Sequence, residues 1–508
     1  TNLHVSALPN CFVPSLFDSP VERYLKTRQS VQRFTVTQLG KCCSDTESDL
    51  LRPYRYVVHS YNFFLFPSML GVRDVEFTLS ASSIQFLSHY GFDYNKFLKD
   101  GIPYMNEVQE KILRQHLLAG SWTFHSAANR DVLRKVIDEV TCWIAVAEEE
   151  ETMILQDLSD YHVFEVQLVL RQALQNVWTE PLGNKKVMVK KVSPQHRQLL
   201  ENSSCDPCQM ELVLLSARGF TNLFQILVEA KKPLVGHNML MDLMHLHDKF
   251  YKPLPESYEE FKRNIHNLFP VLIDTKIVTK SMKKNYLFPR VSSLSEAYAV
   301  LCSSSLNPKD PPWPVIVLAS DCSRYAEKES PHEAGYDALL CGSGKMLLKH
   351  SFRDCVGTWH DAVEADPSFS RYLTTLAEHV NQVNVIRGGV SSINFSGEDA
   401  PCHRPPALVV HVQGWPGLNE RQIYQEFKGL CRFDVRRLSK NQFILLSNKY
   451  KHVRLVLRDY KHHPHLQVSV YRHWRHSPRV NCLLQVSGIV ALWSLLAFVL
   501  GGAPSCSL

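Results

Sequence analysis

Two short stretches carry residue types, at spacings, that suit metal-assisted hydrolysis. In Val235-Gly-His-Asn-Met-Leu-Met-Asp242 an apolar run ends at Gly236, and Met239, Leu243 and Leu246 then fall on one helical stripe. The pattern predicts a strand handing over to a helix, with Asp242 in the first turns, where the helix dipole favours a carboxylate that can hold a cation. Taken alone, Asp242 reads first as a surface or helix-start residue. In Ser330-Pro-His332-Glu-Ala-Gly-Tyr-Asp337, Ser330 can cap a helix, Pro331 suits its first position and Glu333 completes a capping box. His332 and Asp337 are then expected on the first two helical turns. Carboxylates that hold divalent ions, beside an imidazole that takes a proton from water, make up a hydrolytic site.

These stretches resemble motifs of the poly(A)-specific ribonuclease family. So do Phe269-Pro-Val-Leu-Ile-Asp274-Thr-Lys276, Ser83-Ile-Gln-Phe-Leu, Gly91-Phe-Asp-Tyr-Asn-Lys and Gly101-Ile-Pro-Tyr-Met-Asn. The resemblance covers nearly the whole chain. It implies a ribonuclease-H-like α/β fold of the DEDDh class, in which four acidic residues, two metal ions and a histidine remove nucleotides from a 3′ end. It implies Asp242 and Asp337 as catalytic, metal-binding residues, His332 as the general base and two Mg2+ ions, since all the ligands are oxygen donors. Asp274 is left outside that set, as a supporting or strand-end residue.

The first family motif, an Asp-x-Glu on a strand before the equivalent of Phe17-Asp-Ser-Pro-Val-Glu-Arg-Tyr, has no counterpart between Thr1 and Phe17. Asp74-Val75-Glu76-Phe77 imitates its spacing but follows the wrong strand. The chain starts at Thr1 rather than Met, so either an incomplete N-terminus or a variant unable to hold both ions explains the gap. Without the pair the main metal loses two of three expected carboxylates, and the 508 residues as written are expected to trim RNA severely less well.

Composition bounds the reading. At 508 residues, 45% apolar and 21% charged, the chain is globular and long enough for two or three domains. The net charge of +6 is localised: Lys451 to Arg479 holds seven Lys or Arg against Asp459 alone, which accounts for the whole excess. Such an end suits a phosphate backbone or an anionic lipid surface. Of the 14 cysteines only Cys42-Cys43 and Cys205-Asp-Pro-Cys208 cluster, which points to free thiols in a reducing compartment rather than to zinc. Cys482 to Leu500 is uncharged over nineteen residues, about 28 Å as a helix and close to the thickness of a bilayer core. It reads as a transmembrane tail anchor, with Arg472, Arg475 and Arg479 keeping the rest cytosolic.

The elements that position the chemistry divide accordingly. Residues 1–120 form the first part of the nuclease, with strands expected at Phe34–Leu39, Tyr54–His59 and Tyr61–Phe66 and helices at Ser82–His89 and Asn106–Leu118. Residues 121–205 read as an inserted small domain, with a helix from Asp131 into the glutamates ending at Glu151, another over Phe164–Leu174 and a strand over Lys185–Lys191. Residues 206–380 resume the nuclease. Residues 405–476 run β-α-β-β-α-β, the order of an RNA-recognition fold, but lack its aromatic-rich signature. Residues 480–500 are the anchor.

The function expected is 3′-to-5′ exoribonucleolytic trimming of single-stranded RNA. With the anchor, the resemblance implies piRNA precursors bound to a Piwi protein, a Tudor-domain adaptor as partner, and a cytosol-facing place on the mitochondrial outer membrane or endoplasmic reticulum. The alternatives are a catalytically impaired, membrane-tethered RNA-binding or scaffold protein, and a poly(A) deadenylase.

Overall fold

A computed structural model describes residues 2–5, 15–49, 52–68, 70–71, 75–118, 123–124, 127–156, 158, 160–183, 186–203, 206–285, 293–304, 315–355, 376–402, 404–414, 417–430 and 432–500. The chain divides into two compact units, one mostly of residues 24–384 and one mostly of 399–508 with 13–23 and 385–391.

In the first unit, β1 (Asn2–Val5), β2 (Val36–Asp49) and β3 (Arg52–Pro67) pair antiparallel in sequence order. The two strands expected either side of Ser60 are one. Ser60 stays in the ladder opposite Cys42, and its backbone N–H donates to Cys322 Sγ at 3.0 Å. β1 is a strand ahead of residue 17, and its sequence, Asn-Leu-His-Val, holds no acid. Helix α1 (Ala81–His89) follows, then the strand Ile102–Tyr104, which pairs parallel with the end of β3.

Residues 127–191 have a core of their own, including Leu133, Val140, Val166, Leu170, Val187 and Val189. Their first helix, Ala127–Val146, ends before the glutamate run. Four consecutive negative charges oppose the C-terminal end of the helix dipole, and the chain instead turns at Glu150 in a left-handed conformation, φ 72°.

The nuclease-like elements then return. β4 (Leu234–Gly236) leads into α2 (Leu240–Leu246), and β5 (Leu272–Asp274), parallel to β4, leads into α3 (Thr275–Asn285). β6 (Val315–Leu318) pairs parallel with β3. The long α4 (Ala334–Cys355) packs on β2 and β3, with Leu339 and Leu340 against Tyr56 and Val58. β7 (Gln382–Asn384) packs against β5.

The second unit contains β8 (Leu408–Val412), α5 (Glu420–Lys428), β9 (Asp434–Arg437), β10 (Gln442–Leu446), α6 (Tyr450–Asp459) and β11 (Leu466–Val470). The sheet is antiparallel in the order β9-β10-β8-β11. A capping box at Asn419 and Gln422 starts α5, and Ile423, Phe427, Val453 and Val456 cover one sheet face. Edge strand β9 is tied to the segment around residue 16: Asp434 accepts from Leu16 N at 2.6 Å and Ser15 Oγ at 3.1 Å, and pairs with Arg387. Finally α7 (Pro478–Leu500) includes 21 residues, Arg479–Val499, long and apolar enough to cross a membrane and unburied by the rest of the protein.

Candidate active site

The turn carrying His332 departs from the expected helix start. α4 begins at Ala334, and His332 precedes it in the left-handed region, φ 69°. The capping box does not form. Glu333 turns away to accept from Asn62 Nδ2 at 2.9 Å and Tyr325 OH at 3.0 Å, and to pair with Arg324. The first helical amides are satisfied across the sheet instead: Ala334 N–H donates to Gln38 Oε1 at 3.0 Å and Gly335 N–H to Asn62 Oδ1 at 3.1 Å. Ser60 Oγ donates to the Gly335 carbonyl at 2.6 Å. Such closeness requires glycine on the sheet. A Cβ on Gly40 would lie 1.8 Å from the Ala334 carbonyl oxygen.

His332 sits at the rim of a cleft of about 250 Å³, lined among others by Gln38, Phe64, Lys96 and Arg324. Its ring packs edge-on against Phe86 and Tyr90, centroids 4.9 and 4.3 Å away. Burial against them lowers its pKa, which favours the neutral imidazole that can accept a proton. Asp337, half-buried in the first turn of α4, accepts from the His332 N–H at 3.4 Å. Burial pushes its carboxyl up to about 6, and nearby Glu333 adds to the rise.

Asp242 lies in the first turn of α2, half-buried, with Leu243 and Met244 beneath it fully enclosed. Asp274 holds the turn before that helix. Wholly buried at the end of β5, it accepts from four backbone amides: Asn238 at 2.8 Å, Lys276 at 2.9 Å, Asn384 at 2.9 Å and Met239 at 3.3 Å. Burial raises its pKa while these amides pull against the rise. Both carboxylate oxygens are thus committed to the backbone, and Asn238 is held left-handed, φ 59°, at the bend into α2. Asp274 is a strand-end brace for the turn that leads to Asp242.

Asp242 and Asp337 share one electrostatic neighbour. The buried Cys341 thiol is pushed up to about 12 by burial, and the carboxylates of Asp337, Asp242 and Asp274 all add to the shift. β1 touches both α2 and α4. The strand beside the two carboxylate-bearing helices is therefore one without an acid. Glu76 is exposed, and Asp74 lies outside the described residues. Oxygen donors suit a hard divalent cation in kind, but two carboxylates fall short in number. Among the described residues no three His, Cys, Asp or Glu gather to hold an ion.

Residues 7–344 match the CAF1 family ribonucleases. The chain belongs to that family. Its fold is accordingly the ribonuclease-H-like DEDDh fold, and ribonucleases of this type work with divalent metal ions. Among CAF1 relatives, the human poly(A)-specific ribonuclease PNLDC1 is 56% identical over 490 residues, 96% of this chain and 93% of that protein. The Bombyx mori pre-piRNA 3′-exonuclease trimmer is 27% identical over 95% of this chain and 88% of its own length. The human poly(A)-specific ribonuclease PARN is 30% identical over 92% and 74%. What the motifs alone did not point to in this CAF1 chain is the support: Gln38, Gly40, Asn62 and the redirected Glu333. Their signal in the sequence is slight, one glutamine and one asparagine among the many polar residues of the two strands.

Proposed function

We propose that this chain is a 3′-to-5′ exoribonuclease that trims single-stranded RNA, with piRNA precursors as its substrates. The reading is carried by the family match over residues 7–344, and His332, lining a cleft with its backbone N–H bonded to Asp337, is consistent with it. His332, its pKa lowered by packing against Phe86 and Tyr90, accepts the proton of the attacking water, and the attack releases a 5′-mononucleotide. Asp242 and Asp337 are the chain's own share of the ligands for the two Mg2+ ions that we assign. The other two carboxylates that the family uses have no counterpart among the described residues.

The apolar α7 is read as a tail anchor, with Arg472, Arg475 and Arg479 on the cytosolic side of the mitochondrial outer membrane or endoplasmic reticulum. A Piwi-bound precursor and a Tudor-domain adaptor are the partners proposed. The β-α-β-β-α-β region is read as an RNA-recognition-like domain whose strands place Val409, itself buried, with His411, Gln442 and Ile444 on the face away from its helices, a face that suits a protein or dimer contact as well as RNA.

Asp337→Ala in the full chain tests the enzyme reading. Abolished trimming with unchanged RNA affinity supports it, and trimming at the parent rate favours a scaffold. Comparing a poly(A) tail with a mixed-sequence 3′ end separates a deadenylase from a trimmer.

A further inference from the structure

His332 adopts a backbone conformation that non-glycine residues seldom hold unless their surroundings impose it. What imposes it lies one residue on. The Glu333 carboxylate gathers three donors, Asn62 Nδ2, Tyr325 OH and the Arg324 guanidinium, and is itself largely covered, with 22% of its side chain exposed. Asn62 serves twice, giving its amide N–H to Glu333 and taking the Gly335 N–H on its oxygen. The reverse amide orientation would set two acceptors together and two donors together, so this one is fixed by its neighbours. Gly335 seals the arrangement. A Cβ there would lie 2.5 Å from Tyr325 OH and 2.9 Å from Asn62 Cβ.

The three residues after His332 are thereby pinned to β2, β3 and Tyr325, through Gln38, Asn62 and Glu333. Once those are fixed, the remaining freedom of the turn lies in His332 itself, and the direction in which its imidazole leaves the chain follows from that turn. We propose that Glu333, held by Asn62, Tyr325 and Arg324, is a positioning residue that sets the His332 imidazole against Phe86 and Tyr90 at the cleft. This rests on the reading of His332 as the proton acceptor. Glu333 acts at one remove, through the backbone that joins it to His332.

The test compares full-chain Glu333→Ala, Glu333→Gln and His332→Ala with the parent, reading single-turnover removal of 3′ nucleotides from a labelled single-stranded RNA with Mg2+, and RNA affinity by fluorescence anisotropy. Glu333→Ala is expected to slow the chemical step about tenfold or more, since a small misplacement of a reacting group is felt strongly, with affinity within about twofold. Glu333→Gln keeps the oxygen that Asn62 and Tyr325 bond and is expected to recover most of the rate. Tyr325→Phe, which removes one donor, guards against a fold defect and is expected to fall between. Parent-like trimming by Glu333→Ala, or equal loss of rate and affinity, overturns the inference. So does a glutamine variant no better than alanine. Parent-like trimming by His332→Ala, or none by the parent chain, overturns the underlying reading instead, and the positioning role with it.

Discussion

The turn before Asp242 and the turn before Asp337 do the same work by opposite means. Each aims a half-buried carboxylate from the first turn of a helix, and each contains a non-glycine residue in the left-handed region, Asn238 and His332. The first is braced from within, by a fully buried carboxylate that collects four backbone amides from three segments. The second is braced from outside, by Gln38, Asn62 and Glu333 reaching between elements, with Arg324 60% exposed at the rim. The first brace is closed to solvent, whereas the outer one, running from buried Gln38 to exposed Arg324, ends at the cleft that His332 lines. The supporting side should therefore be sensitive in stability, and the cleft side in rate.

Substitutions can break or sharpen that contrast. The largest effect is expected from Asp337→Ala or Asp242→Ala, each lowering trimming at least about a hundredfold in a single-turnover assay with RNA affinity retained. Next comes Asp274→Ala. It strands buried N–H groups and is expected to destabilise the protein by about 3 kcal/mol or more in urea unfolding, with part of the activity lost through α2. Removing the Glu333 acceptor should leave stability within about 1 kcal/mol, because that group is partly solvated. Equal losses at the two sites would end the distinction between them.

Gly40→Ala probes the outer brace from the sheet. The added methyl meets the Ala334 carbonyl, so α4 must shift, and a loss of about 2 kcal/mol with slower trimming is expected. Unchanged stability and rate would show that the helix start is not seated on Gly40.

The smallest effect concerns pH. The Asp337 carboxyl, ordinarily at 3.8, is raised to about 6 in the fold, so the native protein binds the extra proton between those values. Its contribution to stability is fully present below pH 4 and is lost as pH rises through about 6. Asp337→Asn removes this dependence and is expected to be roughly 1–2 kcal/mol more stable than the parent at pH 7, though inactive. Parent and variant should converge near pH 4. Parallel stability curves in pH-dependent thermal unfolding would contradict the buried, cation-seeking carboxylate.

The parts legible in the sequence were those with a period or a spacing. The stripe of Met239, Leu243 and Leu246 gave α2 and the placement of Asp242, and alternating apolar residues gave the strands around residues 36–66. The start of α4 was misread because Ser330, Pro331 and Glu333 satisfy a local capping pattern, while the interactions that prevail are with Asn62, Arg324 and Tyr325, distant from them in the chain or on another element. The glutamates after Val146 were read as helix although their charge opposes the helix end. Asp274 is legible only as a supporting or strand-end residue; the four amides it holds come from three segments that the sequence does not bring together.

The central claim is that Asp242 and Asp337 act on one reacting centre, and a double-mutant cycle in single-turnover trimming tests it most directly. Groups that work as a unit give non-additive losses. Asp242→Ala, Asp337→Ala and the double variant are predicted to fall to nearly the same residual rate. Losses that multiply, with the double variant far slower than either single one, would mean that the two carboxylates serve separate sites.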